Sequence, residues 1–188
     1  MLVNETYLFA GLNVMYSSSD IVNYNDVFSH EDYKKILSFV HGPNWYFGHG
    51  SHAEGDKRRG LPFWRIDFID NNFFAEYLLN IIEEKTQQHY ELCDVYANGH
   101  TYGTQGSFHQ DWYDERGRTF LFYANDVWRL EWGGKTAFNL GEDTYFHIPK
   151  PNAAILFPGI IPHAAEPTSR TYSGLRITIA WKLLLKDS

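Results

Sequence analysis

Two short motifs pair a histidine with an aspartate across one residue: His30-Glu31-Asp32 and His109-Gln110-Asp111. With nine histidines and twelve aspartates in 188 residues, chance gives roughly 0.6 such triplets, so geometry has to decide between them. His30 and Asp32 open a helical pattern, in which side chains two apart point about 200° from each other and cannot hold one ion. His109 and Asp111 lie in an alternating run, Ser107-Phe108-His109-Gln110-Asp111-Trp112, and on a strand residues two apart share a face. The looser pairs His52/Glu54 and His89/Glu91 fall in a glycine-rich loop and at a helix exit, where nothing keeps their side chains together. A third ligand has to come from another strand, and His163 follows the apolar run ILFPGIIP, 54 residues after His109. Two imidazoles and a carboxylate on one side of an ion leave neighbouring positions open, which suits non-haem Fe(II) awaiting a chelating cosubstrate and dioxygen. Zinc hydrolysis is the chemical rival, since the same ligand set holds catalytic zinc, but the sequence offers no HExxH helix and no evident general base. Spacing alone is served equally by two sandwich histidines hydrogen-bonded to backbone.

The elements that position these residues change character along the chain. Ser29 can cap a helix whose first turn carries Glu31 and Asp32; Tyr33, Ile36, Leu37 and Val40 then recur at helical spacing until His41-Gly42-Pro43. Asn71 or Asn72 opens a second helix, FFAEYLLNIIEEKTQQH, with Phe74, Leu78, Ile81 and Ile82 on one face. From Glu91 onward short alternating or apolar runs are broken by Gly, Asn and Pro: LCDVYA, SFHQDWY, TFLFYAN, KTAFNL, TYFHI, AAILF and GLRITIAWKLLL. These predict a mainly β chain with flanking helices, a jelly-roll or double-stranded β-helix core packed against the N-terminal helices. The expected organisation is a single domain over 1–188, with helical support and N-terminal strands over 1–90 and the jelly-roll over 91–186. Residues 48–60, GHGSHAEGDKRRG, have no periodicity and read as a mobile loop.

Composition narrows the function classes. Aromatic residues make up 18% of the chain and charged residues only 21%, a balance that excludes a disordered tail. A net charge of −7 argues against a surface built to neutralise a phosphate backbone, so nucleic acid is a disfavoured partner. The lone cysteine, Cys93, permits no intramolecular disulfide and reads as a small buried hydrophobe. The first Lys or Arg is Lys34 and no apolar run approaches a membrane span. The expectation is therefore a cytoplasmic protein with no membrane partner.

Five segments in order, VYANGHTYGTQGSFHQD, FLFYAND, WGGKTAF, AAILFPGIIPHAAEP and GLRITIAWK, make the stretch from Tyr96 to Trp181 resemble the Fe(II)/2-oxoglutarate-dependent oxygenases, specifically the prolyl 4-hydroxylase-like branch. The resemblance implies that His109, Asp111 and His163 hold Fe(II), and that Arg176 pairs with the distal carboxylate of the cosubstrate 2-oxoglutarate. Strand alternation agrees: Arg176, Thr178 and Ala180 share one face and Ile177, Ile179 and Trp181 the other, so an inward Arg176 needs an anion, and Thr178 can add a hydroxyl. The His163 to Arg176 spacing is a few residues longer than is usual in the family, which makes Arg170 a weaker competitor. Tyr123 matches a tyrosine that touches the same carboxylate, and Tyr102 is a further cosubstrate candidate. Tyr96, Trp112, Arg58 and Arg59 are the candidate substrate-binding residues, the two arginines lying in the 48–60 segment read as a lid by analogy. Gly133-Gly134 reads as a turn that opens a strand.

As the resemblance implies, the enzyme hydroxylates a substrate C–H, most readily a prolyl residue of a peptide or protein, with release of succinate and CO2, and ascorbate is a further candidate cofactor. The competing readings are an oxygenase acting on a small molecule or nucleobase and a non-catalytic jelly-roll binding module. The intact His109, Asp111, His163 and Arg176 speak against the last.

Overall fold

The computed structural model describes residues 16–50 and 61–186. A short strand, β1 (Val22–Tyr24), precedes helix α1 (His30–Val40), whose first turn is capped by Ser29 accepting a hydrogen bond from the Asp32 amide at 3.1 Å. Strands β2 (Tyr46–His49) and β3 (Phe63–Asp67) follow. Asn71 then caps the Phe73 amide (3.1 Å) and starts a π-type turn, Phe73–Tyr77, that runs into α2 (Leu78–Thr86). The second half is strand apart from one 3-10 turn at Leu130–Trp132: β4 (Tyr90–His100), β5 (Gly117–Tyr123), β6 (Thr136–Asn139), β7 (Thr144–His147), β8 (Ala153–Pro158), β9 (His163–Ala165) and β10 (Arg176–Leu185). Among the described residues no helix is long and apolar enough to cross a membrane.

The strands form a seven-stranded sheet, β1-β8-β5-β10-β4-β3-β2, and a three-stranded sheet, β7-β6-β9. Side-chain alternation gives the larger sheet two apolar faces. Val95, Ala97, Phe120, Phe122, Ile177, Ile179 and Trp181 face the helices and pack with Ile36, Val40, Phe74, Leu78 and Ile82. The Trp181 indole N–H reaches the Phe74 carbonyl at 3.0 Å, so the centre of the sheet is tied to the start of the second helical segment. The opposite face carries Tyr96, Leu121, Tyr123, Ile155, Phe157 and Ala180 against Phe138 of the smaller sheet. This is the expected jelly-roll core with helices on one side, and its interior lies between the sheets.

Four local readings need correction. The SFHQDWY run is not a continuous strand. His109 exchanges one pair of backbone bonds with His163 (3.1 and 2.9 Å), after which the chain curls so that the Asp111 and Trp112 amides both donate to the Gly159 carbonyl (2.8 and 3.2 Å). The second helix ends at Thr86, three residues before His89, because Gln87 takes a left-handed conformation with φ 55°. Gly48 and His49 belong to β2, while the remainder of the proposed loop, 51–60, lies outside the described residues together with Lys57, Arg58 and Arg59. Cys93 is exposed rather than buried. Lys182 pairs with Asp94 and Leu183 with Leu92, so Cys93 is the extra residue of a bulge and is turned out of the core.

The curl after His109 is fixed by packing. The Trp112 ring lies against Gly117 and Gly159, where an added Cβ would come within 2.2 and 2.1 Å of the indole. Its N–H donates to the Arg118 carbonyl at 3.2 Å. Gly159→Ala should therefore lower stability by about 1–3 kcal/mol through overpacking, read as a reduced midpoint of urea unfolding; an unchanged midpoint would show that Trp112 has room to move.

Candidate active site

The bridge between His109 and His163 brings the two rings to 4.5 Å between centroids. Each ring places Nδ1 at 2.9 Å from a carbonyl two residues earlier, Ser107 for His109 and Ile161 for His163. Nδ1 must donate to that carbonyl, so the lone pair of each neutral ring sits on Nε2 and points away from the backbone. Asp111 lies between them, with Oδ1 3.4 Å from His109 Nε2 and Oδ2 3.2 Å from His163 Nε2. One donor atom from each residue falls within 4.8 Å of the others. Two imidazole nitrogens and one carboxylate thus converge, and the donor set fits a divalent first-row metal with open positions.

The surroundings of Asp111 keep it ionised. Its side chain is 5% exposed, and burial alone would raise its pKa. The Lys182 ammonium, then His163 and His109, overcome that and hold the carboxyl well below the usual range. Oδ2 accepts from the Thr119 hydroxyl at 2.7 Å and from Lys182 Nζ in a short ion pair. Burial pulls Lys182 the other way, and Asp111 and Tyr96 outweigh it, so its pKa is raised. Burial also lowers the pKa of His163, which favours the neutral ring a metal ligand requires.

A cavity of about 190 Å³ opens beside the triad. At one end, Arg176 is 1% exposed and donates through Nε to the Gly134 carbonyl (2.5 Å) and through Nη2 to the Thr136 hydroxyl (2.9 Å). Gly134 has φ 64°, and a Cβ there would meet the Arg176 Cδ at 3.0 Å, so this glycine is needed for the close approach as well as for the turn. Among the described residues no carboxylate pairs with Arg176. Thr178 lines the same wall, and Tyr123 stands one layer behind, sharing a 2.8 Å hydrogen bond with Thr136. His100, opposite Arg176 in the β4–β10 register, is 3% exposed with neither ring nitrogen hydrogen-bonded; burial and then Arg176 push its pKa down to about 3. The Asn98 carbonyl oxygen is likewise unpartnered. Two orphaned polar side chains and an unpaired guanidinium form a cradle for a polar anion.

The other predicted residues are placed unequally. Tyr96 lines the cavity, its ring 3.7 Å from the Arg65 guanidinium carbon. Tyr102 is 55% exposed in the turn after β4 and lies off the cavity wall, and Trp112 points away from it into the glycine pocket. Both therefore stand apart from the roles expected of them. Arg170 is exposed in the loop before β10, whereas Arg176 is the arginine in the cavity. Sequence reasoning missed Thr119, Thr136, His100 and Lys182. Of these Lys182 carried a signal, since it continues the Arg176-Thr178-Ala180 face of an otherwise apolar strand.

Comparison with known proteins agrees with this geometry. Residues 94–181 match the family described as the 2OG-Fe(II) oxygenase superfamily. No curated protein matches the chain by sequence. Similar solved structures include a prolyl hydroxylase from Trichoplax adhaerens in complex with a hypoxia inducible factor oxygen degradation domain peptide fragment (TM-score 0.67, 15% identity, 88% of this chain and 83% of that one). HygX from Streptomyces hygroscopicus, with nickel and 2-oxoglutarate bound, is another (TM-score 0.62, 12% identity, 88% and 82%). A 2OG-Fe(II) oxygenase family oxidoreductase from Burkholderia pseudomallei gives a TM-score of 0.66 at 10% identity over 88% and 85% of the two chains. Over its β core, residues 94–181, the chain thus matches the 2OG-Fe(II) oxygenase superfamily in sequence, and its described fold is the one these solved structures share.

Proposed function

We propose that the protein hydroxylates a C–H bond of a prolyl residue in a peptide or protein, with His109, Asp111 and His163 holding the iron and Arg176 anchoring 2-oxoglutarate. The observation that carries the site assignment is Arg176: a guanidinium buried between two sheets, with no carboxylate partner among the described residues, has a strong need for an anion. When bound, Fe(II) with 2-oxoglutarate and dioxygen supplies the oxidant that inserts oxygen into the substrate, leaving succinate and CO2.

The chain's own residues orient and insulate. The Ser107 and Ile161 carbonyls hold the two Nδ1–H groups, so both Nε2 lone pairs face the ion. Thr119 and Lys182 occupy Oδ2 of Asp111, which leaves Oδ1 as the free oxygen. Arg176 and Thr136, braced by Tyr123, meet the distal carboxylate, with Thr178, Asn98 and His100 completing the cradle. Leu121 and Ala180 give the wall between the two ends an apolar surface that excludes water. The prolyl and polypeptide part of the reading is supported by the fold shared with the T. adhaerens prolyl hydroxylase, whose partner is a peptide.

Purified protein with Fe(II) and 2-oxoglutarate should form succinate, and Asp111→Ala should abolish that turnover; near-normal iron binding and succinate formation in the variant would remove Asp111 from the ligand set. Arg176→Leu should raise the 2-oxoglutarate concentration needed for half-maximal turnover by about thirtyfold or more, since stranding a buried carboxylate costs about 2 kcal/mol or more. If Arg170→Leu produces that rise instead, the anchor has been misassigned. A proline-containing peptide should gain one oxygen atom by mass, and the absence of any gain across prolyl peptides would remove the prolyl assignment.

A further inference from the structure

The inward face of β10 carries two cations at its two ends, Arg176 and Lys182, separated by Thr178 and Ala180. Six residues of strand put their Cα atoms about 20 Å apart, so Lys182 lies at the opposite end of the cavity from the cosubstrate cradle. Its side chain is 13% exposed, and its only carboxylate partner among the described residues is Asp111. Asp94, directly across from it in the β4–β10 register, is already held by Arg65 Nη2 at 3.0 Å, and Asp67 is held by Arg65 Nε at 2.5 Å. The Tyr96 ring lies near both Arg65 and Lys182, 3.7 Å from the guanidinium carbon of the first and 5.6 Å from Nζ of the second.

A site loaded with Fe(II) and 2-oxoglutarate would change what Lys182 faces. Once Asp111 ligates an ion, its charge is shared, and the two carboxylates of 2-oxoglutarate match the two charges of Fe(II). By count Asp111 then offsets Arg176, and the interior keeps one net positive charge, at Lys182, whose only carboxylate among the described residues is the one it shares with the ion. An uncompensated buried cation is strongly unfavourable, and a carboxylate brought by the substrate removes the penalty with a charge-assisted hydrogen bond. Ala180 and Tyr96 line the cavity together with Lys182.

We propose that Lys182 is a specificity-determining residue that binds a carboxylate of the substrate, so the oxidised residue is presented with a free carboxyl group, as a free amino acid or as the last residue of a peptide. This rests on the oxygenase reading of the cavity and not on the peptide or protein reading of its substrate, and it excludes an internal prolyl residue, which brings no charge of its own.

The test is calorimetric titration of the protein loaded with Zn(II) and 2-oxoglutarate, so that binding is read without turnover. The probes are L-proline and the other common L-amino acids, and N-acetylated dipeptides ending in the same residues, each as the acid and as the carboxamide. Wild type should bind at least one acid about tenfold or more tightly than its amide, and the free and carboxyl-terminal arms distinguish the two sources of the carboxylate. Lys182→Met should erase the preference and Lys182→Arg should retain it. Equal binding of acid and amide by wild type overturns the proposal without any variant, as does a preference that survives in Lys182→Met. A Lys182→Met protein that loses affinity for 2-oxoglutarate with its acid preference intact assigns Lys182 to the cosubstrate and also overturns it. Failure of the underlying reading looks different: wild type would then form no succinate from 2-oxoglutarate with Fe(II).

Discussion

A buried, ionised carboxylate is the constraint around which this interior is built. Asp111 is 5% exposed and survives as an anion only because two imidazoles, a hydroxyl and an ammonium converge on its two oxygens. Removing a carboxylate from water is costly unless the charge is matched and every lone pair is used. The surrounding architecture supplies those partners from separate parts of the chain. Thr119 comes from β5, His163 from β9 and Lys182 from β10, so the charge is satisfied only when both sheets are assembled.

The pleat of the larger sheet does the sorting. On β10 one set of residues, Ile177, Ile179, Trp181 and Leu183, is buried against the helices, while the alternate set, Arg176, Thr178, Ala180 and Lys182, lines the cavity. A one-residue slip in register would exchange the two sets and place two cations in the apolar layer. The hydrophobic packing of Trp181 between Phe28, Phe74 and Phe120 therefore also fixes where the polar chemistry points. The same logic applies to Trp112, whose seat between two glycines anchors the residue next to Asp111.

The cavity is electrostatically divided. Its Arg176 end combines a cation with neutral, unpartnered polar groups, His100 and Asn98, which can adapt to a carboxylate without competing for it. Its Lys182 end holds a cation already engaged with the metal-facing carboxylate, flanked by Arg65 and the two aspartates that share it, Asp67 and Asp94. His49, on the wall at that end, has its pKa pushed down to about 4, first by burial and then by Arg65, and so adds no charge. The cavity wall thus carries two cations in chemically distinct surroundings, Arg176 without a carboxylate partner among the described residues and Lys182 paired with Asp111.

Much of this was legible in the order of residues. The Ser29-capped helix, the β-rich second half, the His109-Asp111 pair, the distal His163 and the inward Arg176 all follow from periodicity, capping and motif order, because these are local properties of the chain or repeat along it. What sequence could not supply were contacts made across the fold. Tyr102 read like a cavity residue and is exposed in a turn; Trp112 read like a substrate contact and is packed between Gly117 and Gly159; Cys93 read as buried and is turned outward by a bulge. Lys182 lay in plain view on an apolar strand, yet only the pairing of β10 with β4 and β5, and the curl that follows His109, put its ammonium against Asp111. Sequence by itself determined which side chains alternate to one face and which donor types are present, since covalent spacing sets both. Tertiary structure alone decided which of those donors meet, because a charge buried between two sheets is satisfied by groups that are neighbours in space and far apart along the chain.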